Sequence, residues 1–195
     1  MTRNQRKSVQ VLNYLANKEP NKKINRLKAI KLIWLADKFH LLKYRRTILK
    51  DHYCAMKNGP VASDTLDISR NVNTDYVIEY IRAEKISVES VMQPDTSLFS
   101  TSDIEVLDYI WEQFGGFDQW ALRDLSHKYP EWKKHEQNIL NPDTPNSIPM
   151  DLSDFYDIPT DEPDAMAHIF NIPKEMIIES KQTFENRKQF GASMR

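Results

Sequence analysis

The sequence predicts a predominantly helical α+β fold, in which a compact helical domain carries a small sheet of two or three strands. Three observations support this prediction. Apolar residues recur at helical spacing through much of the chain, residues 86–92 alternate apolar and polar side chains as a strand does, and hydrophobic residues make up 40% of the 195 residues, which is enough for a core.

Two helices are predicted in the first 44 residues. The first runs from about Gln5 to Asn17 and ends before Pro20, and the second, the central helix, runs from about Asn25 to Tyr44. Residues 32–36 of the central helix are apolar without a break, so we expect several neighbouring elements to bury it. Three lysines are expected to share its remaining, solvated face: Lys28, Lys31 and Lys38.

A short strand is predicted at Tyr53–Met56, where the chain becomes extended. Gly59 tolerates positive φ and Pro60 suits the first turn of a helix, so together they predict a turn and then a helix over Val61–Ser69. The alternating segment Ile86–Met92 is predicted to pair with Tyr53–Met56 in the small sheet.

Three more helices are predicted between residue 70 and Trp132, one before the strand Ile86–Met92 and two after it. One spans Asp75–Ala83, and its inward residues are expected to be Val77, Ile78 and Ile81. The next begins at a capping box formed by Ser102 and Glu105 and ends at Gly115. Asp118 caps the third helix, which ends near His127 and is expected to turn three residues inward: Ala121, Leu122 and Leu125.

The chain divides into three parts by composition: a helical domain at residues 1–140, a connecting segment at 141–164, and a helical extension at 165–195. The connecting segment, called here the acidic segment, is rich in proline and has seven acids and no Lys or Arg. This composition favours an irregular segment that lies along a surface without building a core. The last helix is predicted from Lys174 to about Phe190.

Two blocks of the sequence resemble the Panacea domain family, which comprises SocA-like bacterial and phage proteins. The first block has KLIWLAD at Lys31–Asp37, a basic turn, and YCAMKNGPV at Tyr53–Val61. The second has SDIEVLD at Ser102–Asp108 and LSHKYPEW at Leu125–Trp132. The resemblance implies an antitoxin, because members of this family commonly neutralise a neighbouring toxin by direct protein contact.

No catalytic or metal-binding constellation accompanies this resemblance. His52 and Cys54 are two of the four ligands that a zinc site needs, and no CxxC or HExxH pattern supplies the others. Ser126 and His127 are adjacent on a predicted helix, so their side chains point apart. The sequence has no Gly-x-Gly-x-x-Gly or Walker motif. We therefore expect a protein that is not an enzyme and has no cofactor or metal.

The net charge of −1 conceals an uneven distribution. Residues 1–50 carry 14 Lys and Arg against two acids, and the remainder carries 13 bases against 26 acids. Overall neutrality argues against a dedicated nucleic-acid binder, and we expect the two halves to neutralise each other. No apolar run reaches membrane-spanning length, and a single cysteine excludes an internal disulfide framework, so we expect a cytosolic protein.

Three groups of residues are candidates for contact with a partner. The turn contributes Lys57, Asn58, Gly59 and Pro60, the basic turn after the central helix contributes Arg45 and Arg46, and the acidic segment contributes Phe155 and Tyr156. An acidic strip with aromatic anchors complements the basic cleft of a toxin that acts on RNA or nucleotides. The alternative is that the acidic segment is structural and lies on the basic residues 1–50.

A helix-turn-helix is the remaining motif. Ala167, Asn171 and Ile177 match the positions at which this motif has Ala, Gly and an aliphatic residue. The pattern is generic, Asn replaces the turn glycine, and four acids would face the phosphates: Glu162, Asp164, Glu175 and Glu179. We prefer a helical pair that docks on the domain.

The expected function is therefore that of an antitoxin-like protein whose partner is a cognate toxin encoded nearby. Two other functions stay open. One is a proteolytic adaptor that delivers the toxin to a protease, and the other is a DNA-binding regulator that uses the helical pair at residues 165–181.

Overall fold

The structure, a computed structural model, describes residues 1–71, 74–157 and 171–193. It is predominantly helical with two small antiparallel sheets, which confirms the predicted α+β class. The α-helices of these residues are α1 (Arg3–Lys18), α2 (Arg26–Tyr44), α3 (Ser63–Asn71), α4 (Asp75–Tyr80), α5 (Thr101–Phe114), α6 (Gln119–His127), α7 (Pro130–Lys133), α8 (Glu136–Leu140) and α9 (Lys174–Ser193).

Each sheet has three strands. In the first, β5 (Ser87–Ser90) lies between β1 (Lys23–Asn25) and β4 (Ile81–Ala83). In the second, β2 (Tyr53–Met56) lies between β3 (Gly59–Ala62) and β6 (Ser147–Pro149). The predicted pairing of Tyr53–Met56 with Ile86–Met92 is wrong, because β2 forms a hairpin with the chain that follows it and takes its other partner from the acidic segment.

The central helix α2 is buried on every side, with an unbroken run of buried residues from Ala29 to Leu42. It begins where the Asn25 side chain accepts hydrogen bonds from the backbone of the first turn, and it ends at Arg45, whose φ is 59°. The expected solvated lysine face is wrong for Lys31 and Lys38, which are 0% and 2% exposed. Both lysines find buried partners in distant parts of the chain.

The chain after β2 turns back as a hairpin and does not enter a helix at Pro60. Met56 pairs with Gly59 across a two-residue turn, and Gly59 has a φ of 96°. Pro60 lies in β3, the edge strand of its sheet, where a proline is tolerated because its missing N–H is not needed. The predicted helix over Val61–Ser69 is therefore wrong at its start, and α3 begins at Ser63.

The helix predicted over Asp75–Ala83 ends earlier, at Tyr80, and the chain continues as edge strand β4. Val77 and Ile81 are buried as predicted, whereas Ile78 is 57% exposed. A helix of only six residues buries a narrow stripe, so the residue next to Val77 faces solvent.

The capping box of α5 lies two residues before the predicted one. The Ser100 hydroxyl accepts a hydrogen bond from the Asp103 N–H, and the Asp103 carboxylate accepts one from the Ser100 N–H. Ser102 and Glu105 fit the same local pattern, so spacing alone did not identify the correct pair. Gly115 ends the helix as predicted.

Helix α6 starts at the predicted cap, Asp118, whose carboxylate accepts two backbone hydrogen bonds. It buries a single stripe that contains Leu122 and Ser126, which are four residues apart. Leu125 is partly buried, but Ala121 is exposed, because it lies beside this stripe on the solvent face. The expectation that Ala121 points inward is wrong.

The described part of the acidic segment, residues 141–157, contributes to the core. Strand β6 pairs with β2, and the Met150 N–H donates to the Tyr53 carbonyl oxygen at 2.9 Å. Beyond β6, a short 3₁₀ turn at Leu152–Tyr156 inserts Phe155, which is 0% exposed. The expectation that this segment builds no core is therefore wrong, because its backbone is satisfied by strand pairing and its aromatic residues are covered.

The last helix begins at Lys174, as predicted, and continues to Ser193. It packs against α2 and the 3₁₀ turn of the acidic segment. The helix predicted from Ala165 falls within residues 158–170, which lie outside the described residues. Among the helices of the described ranges, none has the length and apolar character needed to cross a membrane.

Candidate partner-binding site

Helix α2 carries four buried polar side chains, and each has a partner: Lys31, Asp37, Lys38 and His40. We call these four residues and their partners the polar core. A buried polar group without a partner is costly, so these contacts fix the elements that supply the partners.

Lys38 joins α2 to α7 and to the acidic segment. Its Nζ atom lies 2.9 and 3.0 Å from the two carboxylate oxygens of Glu131, and it also donates to the Phe155 carbonyl oxygen at 2.8 Å. Burial lowers the pKa of Lys38 and raises the pKa of Glu131, and the attraction between the two charges opposes both shifts. The pair is buried and joins α2, α7 and the acidic segment, so its loss would disturb these three elements together.

Asp37 holds the turn after α2 against strand β2. Its Oδ1 atom accepts hydrogen bonds from the Ile48 N–H at 2.5 Å and the Leu49 N–H at 3.2 Å, and its Oδ2 atom accepts one from the Tyr53 hydroxyl. Burial raises the pKa of Asp37 to about 6, although these hydrogen bonds act in the opposite direction.

His40 and its neighbours connect α2 to α5 and α1. Its Nε2 atom lies 3.1 Å from the Ser102 Oγ and 3.3 Å from an Asp103 carboxylate oxygen. Arg46 and Lys7 donate to the same carboxylate at 2.9 and 2.6 Å. Burial alone would raise the pKa of Asp103, but the hydrogen bonds from His40 and Lys7 hold it well below its usual range.

Lys31 supports the β2–β3 hairpin from beneath. Its Nζ atom donates to the Pro60 carbonyl oxygen at 2.6 Å, and burial lowers the pKa of Lys31 well below its usual value. Gly59 lies against the same group, because a Cβ atom there would be 2.8 Å from Lys31 Nζ and 2.3 Å from Ser126 Oγ. Only glycine fits this contact and the positive φ together.

A stacked pair completes the base of the hairpin. The rings of His127 and Trp132 are parallel with centroids 3.7 Å apart, and Trp132 Nε1 donates to the Met56 carbonyl oxygen at 2.9 Å. Burial lowers the pKa of His127 to about 4, with further contributions from the positive charges of Lys31 and Arg123. His127 is therefore a neutral ring that packs against the indole at neutral pH.

The tip of the hairpin projects from this base. Lys57 and Asn58 are exposed, whereas Gly59 and Pro60 are buried. The four residues of this turn were predicted to contact a partner. A partner can reach two of them, Lys57 and Asn58, whereas Gly59 and Pro60 hold the turn.

The two arginines of the basic turn also separate. The guanidinium of Arg45 lies 3.3 Å from a Glu179 carboxylate oxygen of α9. Arg46 donates to Ser100, Ser102 and Asp103 and therefore belongs to the polar core.

Phe155 and Tyr156 are buried, which contradicts the exposed-anchor arrangement on which their assignment as toxin contacts depended. The Phe155 ring packs edge-on against Tyr53 with centroids 5.0 Å apart. Tyr156 is 3% exposed, and its ring lies 5.6 Å from Phe184 of α9. Their position favours the alternative in which the acidic segment is structural.

Three of the acids in the described part of this segment pair with lysines that lie outside residues 1–50. Asp151 contacts Lys188 at 2.5 Å, Asp157 contacts Lys181 at 2.7 Å, and Asp154 contacts Lys134. The expected neutralisation by the N-terminal part of the chain is therefore wrong for these three acids, because α9 and the end of α7 lie nearer to them.

A shallow groove of about 560 Å³ lies between the end of α2 and the start of α9. One side is formed by three consecutive residues, Lys43, Tyr44 and Arg45. The other side is formed by the first turns of α9 and the residue before them: Pro173, Glu175, Met176 and Glu179.

A family model for the SocA-like antitoxin, Panacea domain, matches residues 30–133, which is more than half of the chain. The chain belongs to the Panacea domain family. The match extends from α2 to α7 and confirms the resemblance seen in the two sequence blocks. A comparison with curated proteins and a comparison with solved structures find no significant match.

The two Panacea blocks meet in the polar core. Lys31 and Asp37 come from the first block, and Lys38 follows it directly. Ser126, which lies against Gly59, and Glu131, which pairs with Lys38, come from the second block. Much of what makes the Panacea sequence recognisable is thus buried and holds the scaffold. Exposed positions on that scaffold, such as Lys57 and Asn58, are the ones that a partner can contact.

The residues that match a helix-turn-helix pattern lie only partly within the described residues. Ala167 lies outside them, Asn171 has a φ of 43°, and Ile177 is buried. A left-handed Asn171 fits the turn of the motif, but Glu179 at the start of α9 pairs with Arg45. This contact suits a helix that docks on the domain.

The residues considered for catalysis or metal binding have other contacts. His52 Nδ1 lies 2.8 Å from an Asp64 carboxylate oxygen, and the Ser126 hydroxyl donates to the Arg123 carbonyl oxygen at 2.7 Å. Within the described ranges, no group of three or more His, Cys, Asp or Glu side chains is placed to hold a metal ion.

Sequence reasoning did not identify Lys31, Lys38 and Glu131 as buried. One signal was present, because both lysines flank the unbroken apolar stretch of a helix that was itself predicted to be buried by several neighbours. A lysine in such a helix needs a carbonyl or carboxylate partner. Which residue is that partner depends on long-range packing, so the sequence near the lysine does not indicate it.

Proposed function

We propose that this Panacea domain protein is an antitoxin that neutralises a cognate toxin by direct protein–protein contact, in the cytoplasm and without catalysis of its own. The family match over residues 30–133 carries the proposal. The polar core supports it, because Lys38, Glu131 and Asp37 are all engaged in holding the scaffold.

The hairpin tip is the contact surface that we assign to this function. Lys57 and Asn58 are exposed at the end of a turn that Lys31, Gly59 and Trp132 hold from beneath. A turn that is already rigid loses little conformational entropy when it binds, so its few exposed groups contribute more fully to affinity.

Co-expression with the neighbouring gene product tests the proposal. We expect that product to arrest growth alone, and we expect growth to return and the two proteins to co-purify when this chain is present. Continued arrest in cells that contain well-folded chain would contradict the proposal.

The same assay distinguishes the other two functions. If growth returns only in cells that contain an intact protease system, and the toxin level falls with it, the chain is a proteolytic adaptor. If growth returns without co-purification, and the purified chain retards its own promoter DNA in a gel, the chain is a DNA-binding regulator.

A further inference from the structure

Helix α9 covers a defined surface of the domain with one of its faces. Its contacting residues recur at positions i, i+4, i+7 and i+11, which share one helical stripe: Ile177, Lys181, Phe184 and Lys188. Two carboxylates, Asp157 and Asp151, receive the two lysines, and the Tyr156 ring lies beneath Phe184. We call the surface formed by Asp151, Tyr156 and Asp157 the helix seat.

The fit of α9 to the helix seat is incomplete. Tyr156 Oη and Ser180 Oγ are both buried, and neither has a hydrogen-bond partner among the described residues. The groove of about 560 Å³ remains open between the first turns of α9 and residues 43–45. Unsatisfied polar atoms and unfilled space both reduce the stability of the α9 contact.

The charges that hold α9 are exposed. The Lys181, Lys188 and Arg45 side chains are 36%, 58% and 36% exposed, and their acidic partners are 45%, 45% and 69% exposed. Water and salt screen such pairs, so each contributes little to the attachment. The attachment of α9 therefore depends mainly on the buried Ile177 and on the packing of Phe184 against Tyr156, and the ion pairs add little to it.

The chemistry of the helix seat indicates which other occupant it would accept. Two carboxylates flank an aromatic floor, so the complementary ligand is a helix with basic residues seven positions apart and an aromatic residue between them. We infer that the helix seat is a docking site for a basic amphipathic helix of the partner protein, and that α9 is its intramolecular competitor. The identity of the partner rests on the proposed function, whereas the helix seat does not.

A second copy of this chain is the less suitable occupant. Its own α9 would bring the same unpaired Ser180 and leave the same groove open, so exchange between copies gains no contact. A different helix gains stability where it also covers residues 43–45, which border the open groove beside α9, and where it donates to Tyr156 Oη or accepts from it.

A labelled peptide of residues 174–190 is the probe for the helix seat, and the full chain is the receptor. The wild-type chain should bind it weakly, because the attached α9 competes at high effective concentration. The variant Lys181→Glu with Lys188→Glu places glutamates opposite Asp157 and Asp151, and we expect this repulsion to release its own α9 and to tighten binding of the wild-type peptide about tenfold or more. Lys174→Glu, which makes the same change outside these ion pairs, should behave like the wild type.

Two further reagents test the chemistry of the site. Ile177→Asp releases α9 by removing an apolar contact, and this chain should also gain affinity for the peptide. A peptide that keeps only Ile177, Lys181, Phe184 and Lys188 on an alanine background should bind as the full peptide does, and its version with glutamates at the two lysine positions should not.

Three results would overturn the inference. The first is that the two variants designed to release α9 keep a cooperative unfolding transition but gain no affinity for the peptide. The second is that they lose this transition, which would make α9 part of the core. Concentration-dependent dimers of the released variants would assign the helix seat to a second copy. Rescue of growth by the wild-type chain does not depend on these results, so the proposed function can survive such a failure.

Discussion

Gly59 combines two constraints at one position. Its φ of 96° is unfavourable for residues with a Cβ atom, and that atom would lie 2.3 Å from Ser126 Oγ. We predict that Gly59→Ala lowers the free energy of unfolding by at least about 2 kcal/mol, from backbone conformation and the clash together. Urea denaturation measures this change.

Gly116→Ala is the matched control for Gly59→Ala. A Cβ atom at Gly116 meets nothing within 4 Å, and its φ is not in the left-handed region, so stability should change by less than about 0.5 kcal/mol. Equal effects of the two substitutions would show that the packing of Gly59 against Lys31 and Ser126 does not matter.

We expect the Lys38–Glu131 pair to affect stability mainly because an unpaired charge at this buried site is costly, and less because the two charges attract each other. Lys38→Met leaves a carboxylate buried without its partner and should cost about 3–5 kcal/mol. Adding Glu131→Leu should recover much of this loss, because the unpaired charge is then absent. Thermal unfolding of the single and double variants measures the difference.

The exposed pair Lys43–Glu105 provides the comparison, with side chains 38% and 51% exposed. Lys43→Met should cost less than about 1 kcal/mol. If the double variant at Lys38 and Glu131 were no more stable than Lys38→Met alone, the buried charge would not be the cause, and most of the lost stability would come from the broken hydrogen bond to the Phe155 carbonyl oxygen.

His127 predicts a specific dependence of stability on pH. Its pKa is lowered from 6.5 in the unfolded chain to about 4, so the unfolded state binds the proton more readily between these values. The stability that His127 contributes is therefore complete above pH 6.5 and is lost as the pH falls towards 4. The pKa of Asp37 is raised to about 6, so its contribution has the opposite sign and is lost as the pH rises towards 6.

Substitution separates these two effects. His127→Phe keeps a ring against Trp132 and removes the titration, so the variant should lose less stability than the wild type between about pH 7 and about pH 4.5. Urea midpoints at the two pH values measure this. His52→Gln removes an exposed histidine whose pKa is raised by Asp64, and it should not reproduce the effect. An unchanged pH dependence in His127→Phe would show that its ring is not the group responsible.

At the scale of elements, local signals predicted most helices, but the one strand pairing that was predicted is wrong. The apolar stripes and the cap Asp118 act within a few residues, and α1, α2, α6 and α9 were located from such local signals. The two partners of β2 were missed, because Pro60 suits both a helix start and an edge strand, and β6 lies far along the chain.

The acidic segment shows the same limit for a candidate site. Its alternating acids and aromatic residues predicted an interface, but the pattern does not state whether the interface is within the chain or with another protein. In the structure, Phe155 faces Tyr53, and the acids Asp151 and Asp157 face α9. The hairpin tip was predicted correctly as an exposed turn at Lys57 and Asn58, although its strand β3 was not.

At the scale of the molecule, we propose that the polar core provides stability and that the exposed hairpin tip provides recognition. Lys31, Asp37, Lys38 and Glu131 connect α2 to β2, β3 and α7, and these residues lie within the matched range 30–133. We expect such a scaffold to tolerate changes at its exposed tip without loss of fold. Different exposed residues on a common core would then recognise different partners.

One measurement tests this separation most directly: the affinity for the toxin of the double variant Lys57→Ala with Asn58→Ala, compared with that of the wild-type chain. The account predicts a loss of affinity of about tenfold or more, which corresponds to about 1.4 kcal/mol, with a melting temperature of the free chain that stays within error of the wild type. Unchanged affinity, or a loss of affinity that accompanies an equal loss of stability, would contradict the assignment of the hairpin tip as the toxin contact.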